Sequence, residues 1–169
     1  MNETHMKKTL PTHSRKFWLI LISLFCAVML ATLLKDYWLT SQKPNLFFYL
    51  IVPALTILSG VIGMLITSRV FQRGVPFLDL LAISLIVNTI MQLVEIILKF
   101  VYYLLWEYSG FLYILLVIPG GFLLMTVALK RWTRRSLWMV LLLTVIDFIC
   151  GLAVGIFLTE VIGITTPGS

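Results

Sequence analysis

The chain has 169 residues, 60% of them hydrophobic and 12% charged, with a mean hydropathy of +1.04. A soluble domain is near half apolar and about a quarter charged, so this composition excludes an ordinary soluble enzyme and points to an integral membrane protein built as one domain. The net charge of +6 does not signal nucleic-acid binding, because the basic residues sit at the ends of apolar runs, where they set topology and attract anionic lipid headgroups.

Residues 1–16 are polar and carry Lys7, Lys8, Arg15 and Lys16, as expected of a flexible cytoplasmic tail. The apolar run 17–34 follows. A basic stretch before an apolar run also begins a secretory signal peptide. This run is long for one, and Lys35, Asp36 and Tyr37 stand where a cleavage site needs small residues. It is read as a retained span. Residues 35–45, KDYWLTSQKPN, form a polar loop before a second span at 46–67. The turn SRVFQRGVPF leads to a long third span at 78–105. Pro76 and Asp79 suit its opening, since proline fits a first turn and an acid complements the positive helix end. Its length implies tilt. EYSG leads to a fourth span at 111–129, and the basic turn KRWTRRS to a fifth at 137–163. The predicted fold is all-α: a five-helix transmembrane bundle over 17–164, with 165–169 as a short outer tail.

Charge chooses the orientation. Ten of the thirteen Lys and Arg fall on one side: Lys7, Lys8, Arg15, Lys16, Arg69, Arg73, Lys130, Arg131, Arg134 and Arg135. The positive-inside rule puts the N-terminus in the cytoplasm and the C-terminus outside. Trp18, Trp132 and Trp138 then mark the inner interface, and Tyr37, Trp38, Tyr102, Tyr103, Trp106 and Tyr108 the outer one. The expected location is the plasma (inner) membrane, with the lipid bilayer as the first partner.

The third span carries a polar stripe. At about 100° per residue, Ser84, Asn88, Gln92, Glu95 and Lys99 fall within an arc of about 80°. Lipid cannot satisfy such groups, so this face should turn inward, to a partner subunit or to a wet cavity. Glu95 precedes Lys99 by four residues, the favourable order for an intrahelical ion pair.

Three anomalies share one depth. Asp147 lies 11 residues after Ser136, Asn88 11 after Phe77, and Pro119 11 before Lys130. Each is roughly 16 Å from the cytoplasmic boundary, near mid-bilayer. Pro119-Gly120-Gly121 should kink or break the fourth helix. Freed carbonyls beside a carboxylate coordinate cations in many transporters. The competing reading is structural, with a protonated Asp147 hydrogen-bonded to Asn88 and glycines that let helices approach. Gly151 and Gly155 form a GxxxG, and Ser59 and Gly63 a second small-residue face; whether they serve internal packing or self-association is open.

No catalytic or cofactor signature is present: no GxSxG, HExxH, P-loop or GxGxxG. His5 and His13 lie in the tail, so a metal site on them is not expected. Cys26 and Cys150 read as small buried residues. Asp79 should lie about 16 Å from Asp147, too far to share a proton. Glu107 and Glu160 sit near the outer surface. No enzyme and no cofactor is expected.

Two stretches give the chain a wider resemblance. GVPFLDLLAISLIVNTI takes a short polar turn into a long third helix, and ALKRWTRRSLWMVLLLTVI places a basic turn between the last two spans. Over roughly residues 46–164 this layout resembles the Yip-type five-span membrane domain family. An inside N-terminus and an outside C-terminus match it too. The resemblance implies a membrane-organising or partner-binding role. The first functional expectation is therefore a non-catalytic multi-pass protein that binds or organises partner membrane proteins, or itself. The alternative is a small ion or polar-solute permease, or its membrane subunit, with a midplane site at Asn88, Gln92, Asp147 and the Pro119-Gly120-Gly121 break.

Overall fold

Backbone groups that leave water must be satisfied internally, and a helix does this within one segment. Each apolar run accordingly folds as one α-helix in the computed structural model, which describes residues 10–12, 14–40, 46–71, 74–105 and 109–160. The helices are α1 (Arg15–Thr40), α2 (Leu46–Val70), α3 (Phe77–Leu105), α4 (Ser109–Thr133) and α5 (Leu137–Glu160). Among the described residues four stretches are long and apolar enough to cross a membrane: Arg15–Lys35, Ile51–Val70, Phe77–Phe100 and Leu137–Leu158; α4, where the fourth of five spans is expected, is not among them.

Three boundaries differ from expectation. α1 continues through residues 35–40, so the polar loop expected to begin at Lys35 is helical there; those side chains prolong a helix already nucleated, where each added residue gains a backbone bond. α4 takes most of the basic turn KRWTRRS and stops only at Arg134, whose φ is 53° and whose N–H donates to the carbonyl of Lys130 at 3.2 Å. That left-handed residue ends the helix as a glycine would. Finally, α4 is helical on both sides of Pro119. The expected break is absent, because losing one backbone donor leaves the neighbouring helical bonds in place.

α2, α3, α4 and α5 form a ring. α2 packs against α3 and α5, and α4 packs against the same two; among the described residues, neither diagonal pair touches. α1 lies outside the ring against α2 and α3. The most intimate pair is α2 with α5, where small residues let the backbones close up.

One end of the bundle is tied together by polar contacts. Thr12 Oγ1 donates to Asp79 Oδ1 at 2.8 Å, Trp18 Nε1 donates to the Thr12 carbonyl at 2.7 Å, and Leu10 packs on the core. Residues 10–12 therefore belong to the bundle rather than to a free tail, since Thr12 fills a buried place at the start of α3. Arg135 Nη2 donates to the Gly74 carbonyl at 3.1 Å, joining the α4–α5 turn to the α2–α3 turn. This end gathers Arg15, Lys16, Arg69, Lys130, Arg131, Arg134 and Arg135.

Packing is uneven along the ring. Val61, Met64, Ile83, Leu129, Val140 and Leu143, all 0% exposed, fill the half nearest the basic end. Closely spaced buried side chains run to Ile57 on α2, Thr89 on α3, Met125 on α4 and Thr144 on α5. On the α2–α5 pair these ends are staggered, since Asp147 meets Gly60 and Gly151 meets Thr56. No described side chain is buried over residues 51–56, 90–100, 117–124 or 145–154, whereas Leu158 of α5 and Thr32, Leu33 and Lys35 of α1 are. Among the described residues the half at the basic end is the more densely filled.

Candidate polar sites between the helices

On α3, Ile90, Leu93, Ile97 and Phe100 are exposed and mark its outer face. The stripe from Ser84 to Lys99 lies roughly opposite at about 100° per residue, so it turns toward the other helices. Ser84 is 0% exposed and its Oγ has no hydrogen-bond partner. Asn88 Nδ2 donates to the Ser84 carbonyl at 2.9 Å, leaving Oδ1 as a free acceptor. Gln92 is half-buried and makes no hydrogen bond among the described residues. Further out, Lys99 Nζ lies 2.8 Å from Glu95 Oε1. That pair neutralises itself at the end of the stripe.

Asp147 shares a stripe of α5 with Val140, Thr144 and Gly151, at helical spacings of seven, three and four. Val140 and Thr144 are buried, and Asp147 meets α2 beside Gly60, three residues to the basic side of Ile57. Its carboxylate rests on Gly60 of α2: a Cβ added at Gly60 would overlap Oδ1 and lie 3.0 Å from Cγ. Among the described residues Asp147 makes no hydrogen bond and no ion pair. An interior carboxylate without a donor is a costly arrangement in a membrane, and such residues mark functional sites.

The ridge beneath it is continuous. Ser59 Oγ donates to the Thr56 carbonyl at 2.9 Å and toward the Cys150 carbonyl at 3.3 Å. A Cβ at Gly63 would lie 2.6 Å from Cys150 Sγ, and one at Gly151 would lie 3.2 Å from Thr56 Cγ2. Ser59, Gly63 and Gly151 thus serve the internal α2–α5 joint. Of Gly155, only its place in α5 is described. Gly60 was not singled out by the sequence reading, although it lies on the same face, four residues after Thr56 and three before Gly63.

The expected midplane cluster is not one contact site. Asn88 and Asp147 sit on the diagonal helices α3 and α5, which do not touch, and no hydrogen bond joins them. Equal depth placed them at one level without making them neighbours, because depth counting says nothing of which helix lies beside which. Pro119 is exposed, a Cβ at Gly120 would meet nothing within 4 Å, and only Gly121 packs inward, 3.6 Å from Met91 Cε. Pro119 and Gly120 do not pack into the ring, whereas Gly121 does. Thr126 Oγ1 donates toward Thr144 Oγ1 at 3.3 Å, linking α4 to α5. Glu107 lies outside the described residues, and of Glu160 only its helical place is described.

What remains is two separate polar places: the Asp147 carboxylate at the α2–α5 joint, and the Asn88 and Gln92 amides on the inward stripe of α3. No group of three or more His, Cys, Asp or Glu able to hold a metal ion occurs among the described residues. Comparisons with protein-family models, with curated proteins and with solved structures found no match to this chain. The site itself is then the ground for a functional reading.

Proposed function

We propose that the chain is a five-span, multi-pass protein of the plasma (inner) membrane, N-terminus in the cytoplasm, that binds a small polar solute or ion as a permease or its membrane subunit. The observation that carries this reading is Asp147: a carboxylate held between α5 and α2 at Gly60, with no donor among the described residues. The orientation is supported by the basic residues that share one end. With that end inside, the more densely filled half lies toward the cytoplasm and the less filled half toward the outside. Side chains at 88 and 92 would then be reached from the outer face. In a background lacking Cys26 and Cys150, Gln92→Cys should react with a membrane-impermeant maleimide added outside, and Val87→Cys should not. Failure of Gln92→Cys to react in any folded preparation sinks the reading.

Partner binding or self-association is the second reading. It is favoured by the outer face of α1, where Ser23, Ala27 and Ala31 are all exposed at spacings of four. Small residues in that pattern let a second helix approach closely. The resemblance to the Yip-type layout supports the same role. Cys26 is exposed on this helix. Oxidative crosslinking through Cys26 in membranes should give a dimer if copies meet there, and its failure at high expression counts against self-association by this face.

A further inference from the structure

We propose that the α4–α5 turn is a binding site for the headgroup of an anionic phospholipid in the leaflet at the basic end of the bundle, with Arg131 and Arg134 as its phosphate contacts; this rests on the membrane reading and not on Asp147. Each basic side chain of the turn has a distinct position. Lys130 Nζ donates to the Arg135 carbonyl at 2.8 Å, and Arg135 Nη2 donates to the Gly74 carbonyl at 3.1 Å. These two cations are committed to shaping the turn and tying it to the α2–α3 turn. Arg131 and Arg134 are exposed, and their guanidinium groups make no hydrogen bond or ion pair among the described residues. A guanidinium offers a planar fork of donors that matches phosphate geometry.

No carboxylate offsets this pair. Among the described residues Asp79 is the acid at this end, and it accepts from Thr12 at 2.8 Å beside the entry of α1. The first turn of α5 carries no acid. The two arginines of the α4–α5 turn are therefore unopposed, whereas Arg15 and Lys16 follow within a few residues of the Thr12–Asp79 contact. The apolar neighbours decide between a lipid and a soluble anion. Leu137 and Trp138 come directly after the turn and are 54% and 84% exposed. A soluble phosphate matches the arginines alone. A phospholipid matches both parts: its phosphate meets the guanidinium groups, its chains meet the leucine, and the indole lies at headgroup level. General attraction of basic residues to an anionic leaflet does not distinguish one exposed cation of this end from another. A site does.

Thermal unfolding of the purified full chain in a mild neutral detergent tests this, with phosphatidylglycerol or phosphatidylcholine added to the micelles. Phosphatidylglycerol should raise the midpoint of the wild type by roughly 5–10 °C at a hundredfold excess over its dissociation constant, and phosphatidylcholine should raise it far less. The shift should shrink by roughly half or more in Arg131→Gln/Arg134→Gly. It should survive in Arg15→Gln/Lys16→Gln, which removes the same formal charge. Arg134 has a φ of 53°, a conformation glycine adopts freely, so its replacement by glycine keeps the turn. If the double variant does not fold, Arg131→Gln and Arg134→Gly carry the test singly. Equal shifts with the two lipids, equal losses in the two double variants, or the same shift with inorganic phosphate overturns the inference. Outer labelling of Gln92→Cys involves neither arginine, so the lipid site and the solute reading fail separately.

Discussion

The Asp147 carboxylate on α5 sits where a methyl group on Gly60 of α2 would have to be. Neither residue keeps its place without the other: the glycine is a notch and the acid fills it. Gly60→Ala should therefore cost about 1–3 kcal/mol, the usual penalty for overfilling a packed site. The double variant Gly60→Ala/Asp147→Ala should recover much of that loss. A thermodynamic cycle over the four proteins should give a coupling of about 0.5–3 kcal/mol. Strict additivity would mean that the two side chains do not meet.

A second notch lies one turn away. A Cβ at Gly63 would come within 2.6 Å of Cys150 Sγ and 2.9 Å of Ile146 Cγ2. Gly63→Ala should destabilise by a similar amount, and Cys150→Ala should relieve only part of it, since Ile146 still intrudes. Full rescue by Cys150→Ala would show that the isoleucine turns aside freely. Chemical denaturation in mixed micelles measures both.

The Thr12–Asp79 bond ties the entry of α1 to the first turn of α3 at 2.8 Å. Thr12→Val keeps the shape and removes the donor. Hydrogen bonds to charged groups contribute about 1.5–3 kcal/mol, and partial exposure at Asp79 places the expected loss near the low end. Because Trp18 Nε1 donates to the Thr12 carbonyl at 2.7 Å, the same variant should alter Trp18 fluorescence. Unchanged stability and unchanged emission would remove the tie.

Arg134 holds a φ of 53° at the end of α4. Left-handed backbone costs a residue with a Cβ roughly 1–2 kcal/mol, and glycine avoids it. Arg134→Gly should raise the unfolding midpoint by a few degrees. A fall would show that the guanidinium contributes more than the strain it imposes.

Much of this architecture is readable from residue order alone. The helices begin and end near the polar turns because apolar runs and charged punctuation decide both. The inward turn of Ser84, Asn88 and Gln92 follows from their spacing, and so does the approach of Lys99 to Glu95. Helix partnership does not follow in this way. Asn88 and Asp147 were given one depth, yet they lie on diagonal helices, since a count along the axis carries no bearing around it. Gly60 was passed over because its role exists only once α5 is laid on α2. The proline at 119 misled for a related reason: its chemistry is local, and the helix continues on both sides of it. Thr12 lay in a segment whose polarity suggested solvent, and only the place of Asp79 shows why it is buried.

The pairing of α2 with α5 also bears on how the molecule is made. Helices are made in chain order, and α2 precedes its main companion α5 by two intervening helices. Until α5 arrives, the notches at Gly60 and Gly63 stand empty, and the ring has one side missing. Closure is thus among the last events of biogenesis. A nascent chain stalled before Leu137 should remain a loose assembly, open to membrane chaperones and proteases that recognise unfilled helix grooves.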